Sequence, residues 1–193
     1  MQEHILDNFY KHMLPLFHPQ AEKVLKSIQP AALNSLSFRY TFSVEAMIEV
    51  SHIIEDAVLN TPNTGELHVS FQYLSRVLPQ QQRYRAVARA AKTLWLYGVQ
   101  DAVLNEILPM PNVVLLGTDN TPLIRYWYVV AYGPGLSMTL LAEEISALMG
   151  GERYYEGFYT FEPVTAYQFI SVLHQIYPDQ VPVPTEPTMF ERI

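Results

Sequence analysis

The stretch Thr121–Pro163 reads TPLIRYWYVVAYGPGLSMTLLAEEISALMGGERYYEGFYTFEP, and it decides the fold. Three apolar runs are separated by Gly133-Pro134-Gly135 and by Gly150-Gly151. Val, Ile, Tyr, Trp and Phe dominate the runs, residues that suit a pleated, buried surface, while Gly and Pro supply the turns. Between Ile124 and Tyr132 both alternating faces are mostly apolar: Ile124, Tyr126, Tyr128, Val130 and Tyr132 on one, Trp127, Val129 and Ala131 on the other. A strand of that kind sits mid-sheet with cover on both sides. The stretch is read as a three-strand meander at the folding centre.

Downstream, Pro163 suits the first position of a helix, where its missing amide costs nothing. Val164, Phe169, Ile170, Leu173 and Ile176 would form the buried stripe of that helix. Pro178, Pro182, Pro184 and Pro187 then give an extended tail, either a linker or a docking strap. Upstream, Val113–Leu116 and Thr93–Val99 read as strands. Leu74–Ala91 is read as mainly helical; its arginines Arg83, Arg85 and Arg89 are most simply a solvated face, with an acidic partner or phosphate as the sharper alternative. Glu66–Tyr73 alternates Leu67, Val69, Phe71 and Tyr73 against His68, Ser70 and Gln72, a strand with one mixed face. Near the N-terminus, Ile5, Phe9, Met13 and Phe17 recur at helical spacing, and Ala21–Ile28 is a second short helical piece. Such an arm packs on its own domain or on a twin. The expected architecture is α+β, a mixed α/β sandwich with one sheet of about five or six strands covered by helices. Residues 1–37 form the arm, 38–177 the domain and 178–193 the tail.

Composition narrows the function. With 49% hydrophobic and 16% charged residues the chain is globular rather than disordered, and its net charge of −7 argues against nucleic-acid and anionic membrane surfaces. No apolar run is long enough to span a bilayer and no secretory signal pattern opens the chain, so a cytoplasmic location is expected. The absence of cysteine removes disulfides, thiolate metal sites, cysteine nucleophiles and thioether-linked chromophores. Any cofactor is unidentified, and a ligand would be held non-covalently. The phosphate-loop, dinucleotide and nucleophile-elbow glycine patterns are missing, and the six histidines show no metal-binding spacing, so no reaction is expected.

The helix expected over residues 43–60 carries the informative polar groups. Ser43 suits the N-cap, and Val44, Met47, Ile48, Ile54 and Val58 share one face with Ser51 and Glu55, while His52 borders it. A carboxylate centred on an apolar stripe must be paired, hydrogen-bonded or protonated. Glu55 is therefore either tied to a backbone group or an arginine such as Arg76 or Arg39, or a polar anchor in a ligand pocket. The aromatic excess, 13 Tyr, 9 Phe and 2 Trp, lies largely on the sheet. Most simply that is core. The alternative is a pocket between the sheet and the 43–60 helix, lined by Glu55, His52, Phe71, Trp95, Tyr97 and Trp127.

Laid out in order, these segments resemble the DICT family, the sensory domain of diguanylate cyclases and two-component systems. Ser51-His52-Ile53-Ile54-Glu55-Asp56 is similar to its helical signature, Phe71-Gln72 with Ser75 to the segment after its first strand, and Tyr97-Gly98-Val99-Gln100-Asp101 to its strand ending in GV-x-D. Pro122-Leu123, Trp127 and Gly133-Pro134-Gly135 resemble its meander, and Glu156-Gly157-Phe158-Tyr159-Thr160-Phe161-Glu162-Pro163 its closing element. The resemblance implies a non-enzymatic input module of the kind found in cyanobacteria and other bacteria, with light or redox responses among its stimuli. It also implies a signalling partner such as a kinase, cyclase or transcription regulator, with a homodimer as the expected assembly. No output domain fits beside it in 193 residues, so a stand-alone module or an excised piece is expected.

Overall fold

The computed structural model describes residues 4–17, 38–145 and 153–190. The expected helical piece at Ala21–Ile28, the connector after it and the Gly150-Gly151 break lie outside the described residues. Seven strands form one mixed sheet: β1 (Phe38–Ser43), β2 (Glu66–Tyr73), β3 (Thr93–Val99), β4 (Val113–Gly117), β5 (Tyr126–Gly133), β6 (Leu136–Glu144) and β7 (Tyr154–Thr160), in the order β1-β7-β6-β5-β2-β3-β4. The meander β5-β6-β7 is antiparallel and central, as its doubly apolar pattern requires. Around it lie α1 (Ile5–Met13), α2 (Val44–Asn60), α3 (Gln81–Ala90), α4 (Pro163–Ile176) and the short α5 (Pro187–Phe190). The parallel pairs β2-β3 and β3-β4 need crossovers, and a 3₁₀ segment at Leu74–Gln80 followed by α3 supplies the first.

One strand escaped the sequence reading. Phe38–Ser43 pairs with β7 from Phe38↔Tyr159 to Ser43↔Tyr154, making seven strands where about five or six are expected. Its alternation is present, Tyr40 and Phe42 buried and Thr41 exposed, but the run is short and abuts a helix cap. The helical stripe of α4 is also rotated from expectation. Val164 is exposed, while Thr165, Ala166, Phe169, Ile170, Val172 and Leu173 are buried.

The sheet divides two cores. Leu67, Val69, Leu96, Val129, Leu140 and Tyr159 pack under α2 and α3, and Trp95, Tyr97, Tyr128, Val130, Leu141 and Phe158 under α1 and α4. The N-terminal helix covers its own sheet, burying Leu6, Tyr10 and Met13 rather than centring on Ile5 and Phe9. The Tyr10 hydroxyl donates to the Glu156 carbonyl at 2.6 Å. The C-terminal prolines form a strap: Val181 is buried, Tyr132 Oη donates to the Thr185 carbonyl at 2.6 Å, and the Phe190 ring lies 5.3 Å from Tyr132. No described helix is long and apolar enough to cross a membrane.

Asp7 pins α1 to the sheet. It accepts from Arg125 Nη2 at 2.7 and 2.8 Å and from Tyr126 Oη at 2.6 Å. Burial pushes the Asp7 carboxyl up, but the Tyr126 and Arg125 hydrogen bonds outweigh it and hold the group below its ordinary 3.8. A depressed carboxyl contributes stability that is complete above its unfolded value and lost as pH falls toward the folded one. Backbone amides of Ile5–Met13 should therefore be protected from hydrogen exchange at pH 5 and lose protection below about 3.8. Asp7→Asn should lose that protection at pH 5 already; an unchanged variant would show that the tether does not hold α1.

Candidate functional site

Ser43 caps α2, its Oγ accepting from the Ala46 amide at 3.3 Å, and the helix lays Met47, Val50, Ser51, Ile54, Glu55 and Val58 on the sheet. Two polar groups thus enter an apolar layer, and each has to be satisfied there. Ser51 Oγ donates to the Met47 carbonyl at 2.7 Å and accepts from Trp127 Nε1 at 3.2 Å. This fixes the indole of β5, which stands edge-on to Tyr155 at 5.4 Å.

Glu55 is 1% exposed. One oxygen accepts from Arg83 Nε and the other from Tyr84 Oη. Arg83 also reaches the His52 carbonyl at 2.9 Å and Asp56 Oδ1 at 2.7 Å. Burial pushes the Glu55 carboxyl above its ordinary value, against the Tyr84 and Arg83 hydrogen bonds. The carboxylate is tied to an arginine, as the plainer sequence reading had it, but to Arg83 rather than Arg76 or Arg39. Arg83 is accordingly an anchor of the α2–α3 contact and not part of a solvated face. His52 stays 38% exposed, its Nε2 3.4 Å from Gln80 Oε1.

Between the first half of α2, the 3₁₀ segment and the sheet lies a cleft of about 210 Å³. Val44, Ile48, Phe71, Pro79 and Trp127 give it apolar walls, and Gln80, Arg76 and Arg153 its polar rim. A narrow extension of about 10 Å³ runs inward to Ser51, His52, Glu55 and Tyr84. That is about the least space a single water needs. A larger groove, about 590 Å³, lies between the end of α2, the β5–β6 turn and Phe190. No charged side chain lines it. The smaller cleft is the better candidate, because convergent polar groups on an apolar wall distinguish binding sites from surface relief.

Beside the cleft sits a polar hub built on Gln72. Register slips between Ser70 and Gln72, and Gln72 takes φ 60°, the left-handed region that costs a non-glycine residue energy. The bulge turns its carboxamide into the end of the sheet. Gln72 Oε1 accepts from Arg76 Nη1, from Arg153 Nη2 at 3.2 Å and from Tyr155 Oη at 3.1 Å. Its Nε2 donates to the Ile124 carbonyl at 2.6 Å and to Glu144 Oε2 at 2.9 Å. Arg153 Nε stands 3.7 Å from Glu144 Oε1. Arg76 lies over the Tyr73 ring at 5.0 Å, and burial together with the neighbouring Arg153 pushes its guanidinium below the ordinary arginine value.

Glu55, His52, Phe71 and Trp127 therefore meet on the α2 side of the sheet. Trp95 and Tyr97 do not join them. They point to the opposite face, where His68 stacks on Trp95 at 5.5 Å and places Nδ1 2.9 Å from Tyr97 Oη. Trp95 Nε1 donates to Glu66 Oε2 at 2.9 Å. The reason is the parallel register: Trp95 pairs His68 and Tyr97 pairs Ser70, and paired residues share a face, whereas Phe71 has the other one. Gln72, Arg76, Arg153 and Tyr155 are additions that the helix-wheel argument did not select for the site. Among the described residues no group of three or more His, Asp or Glu is placed to hold a metal ion.

The family model named DICT, described as a sensory domain in diguanylate cyclases and two-component systems, matches residues 22–145, more than half of the chain. The matched segment takes in α2, the 3₁₀ segment and β1 to β6, hence every cleft wall except Arg153. No curated protein matches the chain.

Proposed function

We propose, because this chain belongs to the DICT family of sensory domains, that it is a signal-input module that takes a small molecule into the cleft between α2 and the sheet and passes the occupied state to a signalling partner. The observation that carries this reading is the cleft itself, an apolar recess roofed by the family-matched helix and rimmed by two arginines. Its volume is below the roughly 300–1,000 Å³ of drug-sized sites, which favours a metabolite over a large chromophore. A light- or redox-active cofactor would declare itself as visible absorption in protein purified from its native host.

The geometry also supports a route outward. Gln72 Nε2 holds the Ile124 carbonyl, the next residue Arg125 pairs with Asp7, and Asp7 belongs to α1. Cleft rim and N-terminal helix are thus joined through Gln72, the Ile124–Arg125 peptide link and Asp7. Such a chain carries coupling only if it has two arrangements that the occupant biases. A kinase, cyclase or transcription regulator would read the change at the surface, consistent with a family found in cyclases and two-component systems.

The two tryptophans test the reading because they lie on opposite faces of the sheet. Trp127 lines the cleft, and Trp95 is buried against His68. A low-molecular-weight extract of native cells should shift the emission of the wild-type chain and leave Trp127→Phe unchanged. An identical response from both proteins, or none from either, would sink the cleft as an input site.

A further inference from the structure

Among the described residues, the cleft rim is short of negative charge. Arg76 and Arg153 both donate to one neutral oxygen, Gln72 Oε1, and the Tyr155 hydroxyl, which itself accepts from Arg153 Nη2, donates to it as well. A carboxamide oxygen has two lone pairs, so three donors on it exceed what it can satisfy well. Among the described residues the one carboxylate within ion-pair reach is Glu144, 3.7 Å from Arg153 Nε, and that nitrogen is buried without a hydrogen-bond partner among them. Among the described residues no carboxylate lies within 4.0 Å of Arg76. Among the described residues, two half-buried guanidinium groups share one carboxylate, Glu144, so the groups described at this rim carry one more positive than negative charge in a chain whose net charge is −7. Val44, the first residue of α2, lines the same cleft.

We infer that the cleft takes a small anion with a flat apolar body, its head group bound by Arg76 and Arg153 in place of the Gln72 carboxamide and its body lying against Phe71 and Trp127. The inference rests on the cleft being the input site and adds the chemical class of the occupant. Guanidinium forks match carboxylate and phosphate alike, and bidentate charge-assisted bonds are the strong ones. The apolar walls select a ring or short chain of metabolite size behind the head group. Gln72 is then a placeholder. Its φ of 60° is held by the hub, and an anion that captures the two arginines releases its Oε1 while Nε2 still holds Ile124 and Glu144.

Calorimetric titration of the 193-residue chain with cinnamate, phenyl phosphate and cinnamamide tests this. At least one of the two anions should bind at least about tenfold more tightly than the amide, a difference of about 1.4 kcal/mol. Which anion prevails identifies the head group. Arg76→Met should weaken that anion about tenfold or more and leave the amide within about twofold, as expected for loss of one charged hydrogen-bond donor. Arg153→Gln gives the same contrast should the first variant fold poorly. If the amide binds as well as both anions, the charge assignment is overturned while the cleft stands. If none of the three binds at millimolar concentration, the inference falls, and the tryptophan experiment decides separately whether the cleft is a site.

Discussion

The Arg83→Ala variant should lose about 3 kcal/mol of stability at neutral pH, and most of that loss should disappear on acidification. Arg83 is 25% exposed whereas its partner Glu55 is 1% exposed, so removing the arginine strands the buried member of the pair. Two escapes are open to Glu55: remain charged without its cation, or take up a proton. Neutralising a carboxyl of ordinary value 4.5 at pH 7 costs about 3.4 kcal/mol, which caps the electrostatic penalty. The Glu55 carboxyl, already above its ordinary value in the wild type, is raised further in the variant, so the added penalty is complete above the variant's value and vanishes below the unfolded one. At pH 5 the same cap is about 0.7 kcal/mol. Denaturant midpoints of variant and wild type should therefore converge between pH 7 and pH 5. The melting temperature at pH 7 should fall by roughly 6–12 °C, at about 2–4 °C per kcal/mol for a chain of this size. A deficit independent of pH would mean that Arg83 matters only for packing. Glu55→Ala should cost less, about 1–3 kcal/mol, because Arg83 keeps Asp56 and water as partners.

Gly157→Ala should be at least as damaging, for a different reason. Gly157 lies in β7 between Tyr40 of β1 and Ala142 of β6, and its backbone angles are open to alanine. A Cβ there would meet the Leu141 carbonyl oxygen and the Ala142 Cβ, with the Ala142 Cα at 2.5 Å. These are backbone or near-backbone atoms of a central strand, so relief requires β6 and β7 to separate. Replacing glycine gains about 0.4–1 kcal/mol from a less free unfolded chain, but overpacking typically costs 1–3 kcal/mol and more where nothing can yield. A net loss of about 3 kcal/mol or more is expected, read as a shifted denaturation midpoint. Gly135→Ala is the contrast. Nothing lies within 4 Å of its Cβ, and its φ of 68° sets the cost at about 1–2 kcal/mol. Equal losses at the two positions would contradict the packing described for β6 and β7.

The parts of this fold that were legible are those encoded locally. The meander announces itself by β-branched and aromatic runs punctuated by Gly133-Pro134-Gly135 and Gly150-Gly151, and α2 by a stripe of 3.6-residue period that already placed Glu55 indoors. The partner of Glu55 was not legible. Arg83 is 28 residues away, and it reaches the carboxylate only because the crossover sets α3 beside α2. Trp95 and Tyr97 were drawn into the pocket by their chemistry, and parallel register with His68 and Ser70 sends them to the other face. Gln72 was visible as a polar member of a mixed strand and as part of the Phe71-Gln72 piece of the family resemblance, with no sign of its role as a hub. Its role depends on a bulge and a positive φ, and neither leaves a residue-level signal when the residue is not glycine.

Hydrogen exchange of the full chain with and without the native low-molecular-weight extract addresses the central claim most directly. The account predicts slower exchange confined to residues 44–55, 71–80 and 126–129, the walls of the cleft, together with an altered rate in Ile5–Met13 at the far end of the Gln72–Asp7 chain. Protection centred instead on the groove between the end of α2 and Phe190, with the cleft walls unchanged, would contradict it.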